Sequence, residues 1–193
     1  MADTGLLPET IKEFVIAAHS DLDKTRAMLS ASPSLLNAKH QWDENDYEDA
    51  LGAASHVGNA PIARFLLERG APMTICTAAM LGDSERVSQY LEDDVSQASA
   101  KGAHNIPIMS HAALSGNVEI ARMLVDYGGG EGMSHALHMA IGKRHYEMVR
   151  WLLENGDIDF AMKNFMGKTY LQASIESDQG DIAALLREYG ATN

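Results

Sequence analysis

The chain has 193 residues, of which 46% are hydrophobic and 22% charged, a composition typical of an ordinary soluble globular protein. Its formal net charge of -12 repels phosphate backbones, and no cluster of lysine and arginine stands out, which argues against nucleic-acid binding. The single cysteine, Cys76, excludes an internal disulfide framework and suggests a reducing compartment, so we expect a cytoplasmic protein. No apolar run reaches the roughly 20 residues of a membrane span, and no signal peptide is evident.

One pattern recurs along the chain: an alanine-rich helix, a tight turn and a second helix with an apolar face. It is clearest at His111–Gly129. Here Gly116 can take the positive φ that ends the first helix, and Asn117 is suited to cap the second. Apolar residues then follow at the spacing of one helical face, namely Ile120, Met123, Leu124 and Tyr127.

Equivalents of Gly116 mark five further turns along the chain. In order, they are Ser20, Gly58, Gly82, Arg144 and Asp178. Their spacing scatters around a period of roughly 33 residues, the length of a unit made of a turn and two helices. The first interval is long, whereas the second and fourth are short, so the connections between units must differ in length.

Three segments carry a family resemblance. Thr169–Ala173 and Ala136–Ala140 are similar to the T-P-L-H-x-A signature of the ankyrin first helix, and Ala60–Ala71 is similar to the second helix with its Gly-Ala ending. On these residues the chain resembles the ankyrin repeat family over about residues 11–191. The resemblance implies an all-α ankyrin-repeat α-solenoid that holds a protein or peptide and is not an enzyme.

The uneven spacing defines the expected domain. We predict one ankyrin-repeat domain over 1–193, with repeats at about 8–39, 47–72, 73–97, 106–129, 133–158 and 164–193. β-Turn fingers should project after repeats 1, 3 and 5 and be truncated after repeats 2 and 4. An acidic insertion at 40–49 should lengthen the first finger. Polar residues at Lys12, Glu13 and Arg187 fit the outer faces of end repeats, so no separate catalytic unit is expected.

The eight histidines raise an alternative, a metal-dependent enzyme or sensor. His135 and His138 would share a helical face, a spacing that suits two metal ligands. In the family that the chain resembles, however, the histidine at the position of His138 is structural and bonds to neighbouring backbone. Equivalent positions on adjacent repeats, Cys76 and Ser110, should lie about 8–10 Å apart, too far to complete a zinc site. We therefore expect no catalytic residue, no metal and no cofactor.

The first candidate surface for a partner is the acidic first finger. Two aromatic residues, Trp42 and Tyr47, stand there among acids, and aromatic anchors in charged surroundings are the composition of interface hot spots. Packing of Trp42 against the first repeat explains that residue equally well. The acidic charge favours a basic protein or peptide. The candidate contact residues in the finger are Trp42, Asp43, Glu44, Asp46 and Tyr47.

The second candidate surface is the concave side of the array. We expect Met80 and Leu114 to form an exposed apolar stripe there with His56, and Val57 and Leu81 to be buried. His104, in the second finger, is the remaining candidate contact. A small-molecule pocket in the same groove is a third alternative to the protein-binding function. A monomer is expected.

Overall fold

The structure, a computed structural model, describes residues 6–192, so residues 1–5 and 193 of the expected domain lie outside it. Within the described range, α-helices follow one another as helix-turn-helix pairs. They are α1 (Pro8–Ser20), α2 (Leu22–Ala31), α3 (Ala50–His56), α4 (Ala60–Glu68), α5 (Ile75–Leu81), α6 (Ser84–Asp93), α7 (Ile108–Ser115), α8 (Val118–Asp126), α9 (Met133–Lys143), α10 (Tyr146–Asn155), α11 (Tyr170–Glu176) and α12 (Gly180–Glu188). The predicted all-α solenoid is confirmed.

The helices form two layers. The first helices of successive pairs, α1, α3, α5, α7, α9 and α11, pack side by side, and the second helices lie behind them. Alanines at the contacts of the first helices are fully buried, which lets the backbones approach closely. Examples are Ala53, Ala54, Ala78, Ala79, Ala112, Ala113 and Ala140. None of the helices in the described residues is both long and apolar enough to cross a membrane.

Local sequence explains where the helices begin and end. Asn117 caps α8 by accepting a hydrogen bond from the backbone N–H of Glu119, and Gly116 ends α7 at φ 72, as predicted. The same left-handed turn is made without glycine at Arg144 and Asp178, where φ is 62 and 54. Pairs five and six therefore keep the turn geometry although the glycine is absent.

The residue before each of several second helices also joins neighbouring repeats. Its side chain donates a hydrogen bond to a backbone carbonyl near the turn of the preceding pair. The donor and acceptor residues are Asn59 and His19 (3.2 Å), Asn117 and Gly82 (3.2 Å), His145 and Leu114 (3.1 Å), and Gln179 and Ile141 (3.0 Å). This position therefore holds the repeats in register in addition to starting a helix.

The connections alternate between long and short, as the uneven spacing predicted. The first finger is an antiparallel hairpin of β1 (Lys39–Asp43) and β2 (Asp46–Asp49), with Gln41 opposite Tyr47. The second finger, 94–107, contains two 3-10 turns and a bridge between Lys101 and Pro107. The third finger covers 156–169, whereas only 69–74 and 127–132 link the remaining pairs.

The predicted exposure of the concave residues is wrong. Met80 and Leu114 are buried, with 4% and 8% of their surface exposed, whereas Val57 and Leu81 are half-buried. The reason is the close side-by-side packing of the first helices, which places both side chains in the apolar cluster of the N-terminal helix pairs. Leu114 reaches back from α7 so far that a Cβ on Gly58 would lie 3.0 Å from its Cδ2.

Candidate functional site

The first finger folds back onto the second finger. Asp46 accepts a hydrogen bond from the backbone N–H of His104 at 3.2 Å through Oδ1, and its Oδ2 lies 2.6 Å from Nδ1 of the same residue. His104 holds a left-handed backbone, with φ 56, that side chains rarely adopt. Two residues nominated from the sequence as separate partner contacts thus bind each other and position the tip of the second finger.

Trp42 makes two contacts within the first finger. Its indole N–H donates a hydrogen bond to Oε2 of Glu48 at 2.7 Å, and its ring meets the edge of His40. Glu48 is fully buried, whereas Trp42 keeps 36% of its surface exposed. The polar edge of Trp42 is therefore engaged within the finger, while part of the side chain stays exposed.

The acidic surface of the finger is smaller than the sequence suggested. Asp46 is engaged by His104, and Asp49 caps α3 by accepting from the N–H of Gly52. Asp43 and Glu44 remain at the exposed hairpin turn, where Asp43 accepts from the backbone N–H of Glu44. Only part of the negative charge in this segment is thus free to meet a partner.

Behind Trp42, three histidines surround Glu48. We call His19, Glu48, His56 and His104 the histidine cluster. The Oε1 atom of Glu48 lies 3.7, 3.0 and 3.4 Å from the Nε2 atoms of His19, His56 and His104, respectively. Burial raises the pKa of the Glu48 carboxyl, but the adjacent His56 ring and the Trp42 hydrogen bond outweigh it and lower the pKa overall. The carboxylate is therefore ionised at neutral pH.

Sequence reasoning missed half of this cluster. His56 and His104 were nominated as partner contacts, whereas His19 and Glu48 were not singled out as site residues. The four residues of the cluster come from α1, β2, α3 and the second finger. They meet only because both fingers fold back toward the helices. No local spacing motif could have revealed the group.

An apolar groove runs along the concave side, next to the third finger. It encloses about 610 Å³. Its apolar lining includes Val57, Ile106, Leu114, Met139, Phe165 and Met166. At the tip of the third finger, Phe165 and Met166 have 93% and 58% of their surface exposed. Lys143 and Lys163 contribute positive charge, while Lys168 is paired with Glu176. The nominated residues His56 and Leu114 line this groove, whereas Met80 does not.

The residues behind the alternative metal hypothesis have other partners. His135 lies 2.8 Å from the Ser110 hydroxyl through Nδ1, and Nε2 of His138 donates to the Met162 carbonyl at 3.3 Å. The His138 ring also stacks on Tyr170. His138 therefore bonds to neighbouring backbone, as the family resemblance implies. Neither histidine belongs to the one group of potential metal ligands found in residues 6–192.

Cys76 is equally unsuited to chemistry. Its thiol is buried in α5, and burial raises its pKa to about 12. A thiol with such a pKa is a weak nucleophile at neutral pH, since the thiolate is the reactive form. Cys76 therefore serves as a small apolar residue of the core.

Stacked helix pairs joined by projecting fingers define an α-solenoid repeat protein. A family model described as "Ankyrin repeats (3 copies)" matches residues 75–164 and 130–193, so the chain belongs to the ankyrin repeat family. Members of this family are generally protein-interaction modules and generally not enzymes. A search of curated proteins gives no match. The family match starts at α5, so the first finger and most of the histidine cluster lie before it.

Proposed function

We propose that this chain is a non-enzymatic protein-interaction module that binds a peptide or an extended segment of a protein in its concave groove. The observation that carries the proposal is the exposure of Phe165 and Met166 beside an apolar groove. Large apolar side chains are rarely left in water together, and such patches are typical of partner sites. Their position on a projecting finger lets them close over a segment lying along the first helices.

The charges around the groove suggest the chemistry of the partner. Apolar side chains would fill the groove, and a carboxylate next to them would meet Lys163, which is exposed and not engaged in a salt bridge within the described residues. At longer range, the net charge of -12 and the outward acids Asp43 and Glu44 attract a basic partner. We therefore propose a mostly basic partner segment with an apolar anchor, which extends from the groove toward the first finger.

The first finger is the secondary contact in this proposal. Tyr47 and Trp42 have 48% and 36% of their surface exposed. Aromatic rings can bind lysine and arginine side chains through cation–π contacts. We propose further that all helix pairs act as one domain, that the chain is a monomer and that it works in the cytoplasm, where its free cysteine stays reduced.

Affinity capture from native extract, followed by quantitative mass spectrometry, tests the groove. We expect Phe165→Ala with Met166→Ala to lose most of the partners that the wild-type chain retains. Ile175→Ala is the matched control, since Ile175 is an exposed apolar residue of the same repeat that does not line the groove. Equal capture by the groove variant and the control would show that the partner binds elsewhere.

A second pair of substitutions tests the finger. Tyr47→Ala with Glu44→Gln changes two outward side chains and leaves the internal hydrogen bonds of Trp42 and Asp46 in place. We expect weaker capture of the same partners, with a smaller effect than in the groove variant. Unchanged capture by the finger variant would confine the proposed site to the groove.

A further inference from the structure

The histidine cluster brings four potential metal ligands to one point. Each offers one ligand atom, and these four atoms all lie within 4.8 Å of one another. The Oε1 atom of Glu48 is fully buried and accepts no hydrogen bond within the described residues. An ionised buried carboxylate oxygen without a donor is costly, so its surroundings must supply positive charge.

The tautomers of two histidines follow from their outer contacts. Nδ1 of His19 lies 2.9 Å from the Val15 carbonyl, which can only accept, so Nδ1 carries the proton. Nδ1 of His104 likewise donates to the carboxylate of Asp46. In the neutral ring, the other nitrogen then carries a lone pair. The neutral forms of His19 and His104 would therefore both present an Nε2 lone pair to the cluster, which is the state that a metal ion requires.

With all three rings neutral, their protons do not satisfy this arrangement. Nε2 of His56 lies 3.0 Å from Nε2 of His19, so a proton on Nε2 of His56 can be donated to His19. His56 is also 3.0 Å from Oε1 of Glu48, but this contact lacks the alignment of a hydrogen bond. With His104 neutral, Glu48 Oε1 and His104 Nε2 would still face each other at 3.4 Å without a donor between them. A cation at the centre satisfies all four atoms at once.

The spacing fits a small divalent ion. A tetrahedral Zn²⁺ site with bonds of about 2.0–2.2 Å places its ligand atoms roughly 3.3–3.6 Å apart. The three contacts of Glu48 Oε1, at 3.0, 3.4 and 3.7 Å, scatter around that value. Three imidazoles and one carboxylate are ligands that Zn²⁺ prefers, and four protein ligands are typical of a closed, structural site.

The groups behind the ligands are those of a supported metal site. The carbonyl of Val15 and the carboxylate of Asp46 fix two of the rings, and Trp42 holds Oε2 of Glu48 so that Oε1 alone faces inward. Such outer contacts are typical of metal-binding histidines and carboxylates. His104 is the ligand nearest to solvent, with 33% of its side chain exposed, and marks the side from which an ion can enter.

We propose that His19, Glu48, His56 and His104 bind one Zn²⁺ ion, which fastens the first and second fingers to the ends of α1 and α3. This metal site is independent of the groove proposed to bind a protein. Its position explains why a strained backbone is kept at His104, because the bound ion would hold that ring in place.

The test is metal binding by the full chain, purified without a histidine tag and stripped with chelator. We expect one Zn²⁺ per chain by equilibrium dialysis and elemental analysis. Bound Co²⁺ should give the intense visible absorption of a tetrahedral site. His104→Gln and His56→Gln should each weaken Zn²⁺ binding by more than about 100-fold, because a ligand contributes more than its outer contacts. Asp46→Asn, which changes only an outer contact, should weaken it by about 10- to 100-fold.

His135→Gln is the matched control, because His135 is a half-buried histidine outside the cluster. It should bind Zn²⁺ as the wild-type chain does, and so should the groove variant Phe165→Ala with Met166→Ala. His104→Gln keeps the result interpretable, since a change in an exposed loop is tolerated better than one at a helix end. Absence of Zn²⁺ and Co²⁺ binding by the folded wild-type chain, or equal affinity in His104→Gln, would overturn the proposal.

Discussion

Trp42 and Glu48 are joined by a 2.7 Å hydrogen bond from the indole N–H to Oε2. The bond crosses the first finger from an outer residue to a fully buried carboxylate. It therefore couples the shape of the hairpin to the position of Glu48 in the histidine cluster. Because hydrogen bonds to charged groups are stronger than neutral ones, this contact is important for the stability of the N-terminal repeats.

Replacement of Trp42 by phenylalanine should reveal this contribution. The substitution keeps an aromatic ring but removes the donor, which leaves Oε2 of Glu48 buried without a partner. We expect the free energy of unfolding to fall by about 1–3 kcal/mol in the presence of chelator, measured by urea denaturation. Tyr47→Phe, on the exposed side of the same hairpin, should change it by less than about 0.5 kcal/mol. Equal stability of the two variants would contradict the role given to Trp42.

Asn117 allows the two functions of the position before a second helix to be separated. Its Oδ1 caps α8, and its Nδ2 donates to the Gly82 carbonyl and to Ser84. Asn117→Asp keeps the capping oxygen and loses the donor, so we expect a loss of about 1 kcal/mol. Asn117→Ala loses both functions and should cost about 2 kcal/mol, since the cap contributes about another 1 kcal/mol. Urea unfolding of the two variants measures the difference, and equal losses would show that the cap contributes nothing.

Much of the fold follows from short stretches of sequence, because helix ends depend on neighbouring residues. Gly116 and Asn117 were enough to predict one turn and one cap, and the spacing of such turns predicted which fingers are long. Tertiary packing was harder to predict. The burial of Met80 and Leu114 depends on how closely adjacent first helices approach, and no local pattern encodes that distance.

The histidine cluster shows why sites are harder to predict than repeats. His104 was nominated for its place in a finger, and its contact with Asp46 depends on two fingers meeting in space. His19 stands at the end of a helix whose sequence reads as an ordinary end repeat. The clue available in the sequence was the unusual number of histidines, but the two that are closest together, His135 and His138, lie elsewhere.

Gly116 and Gly167 form a matched pair for testing the packing of one turn. Both have a left-handed backbone, with φ 72 and 74, so alanine at either position should cost about 1–2 kcal/mol in backbone strain. A Cβ at Gly116 would lie 2.6 Å from the ring of His145, whereas nothing lies within 4 Å at Gly167. We expect Gly116→Ala to lose roughly 1–3 kcal/mol more than Gly167→Ala by urea unfolding, because the ring must move. Equal losses would mean that His145 shifts freely.

His138 should make the stability of the protein depend on pH. Burial lowers its pKa to about 4, from a usual value of 6.5. Between these values the unfolded chain binds a proton that the folded chain does not. The neutral His138 ring therefore makes its full contribution to the stability of the folded state above pH 6.5. This contribution is lost as the pH falls toward 4. The contribution of His138 to the free energy of unfolding should fall by up to about 1.4 kcal/mol per pH unit, and by about 3 kcal/mol in total.

Urea unfolding at several pH values between those limits, with chelator present, measures this dependence. His138→Gln removes the titrating group and keeps a side-chain N–H that can donate to the Met162 carbonyl. We therefore expect the variant to lose less stability than the wild-type chain as the pH falls, with the two curves diverging by about 3 kcal/mol at the acidic end. Parallel curves would show that the buried His138 ring takes up its proton as easily in the folded chain as in the unfolded chain.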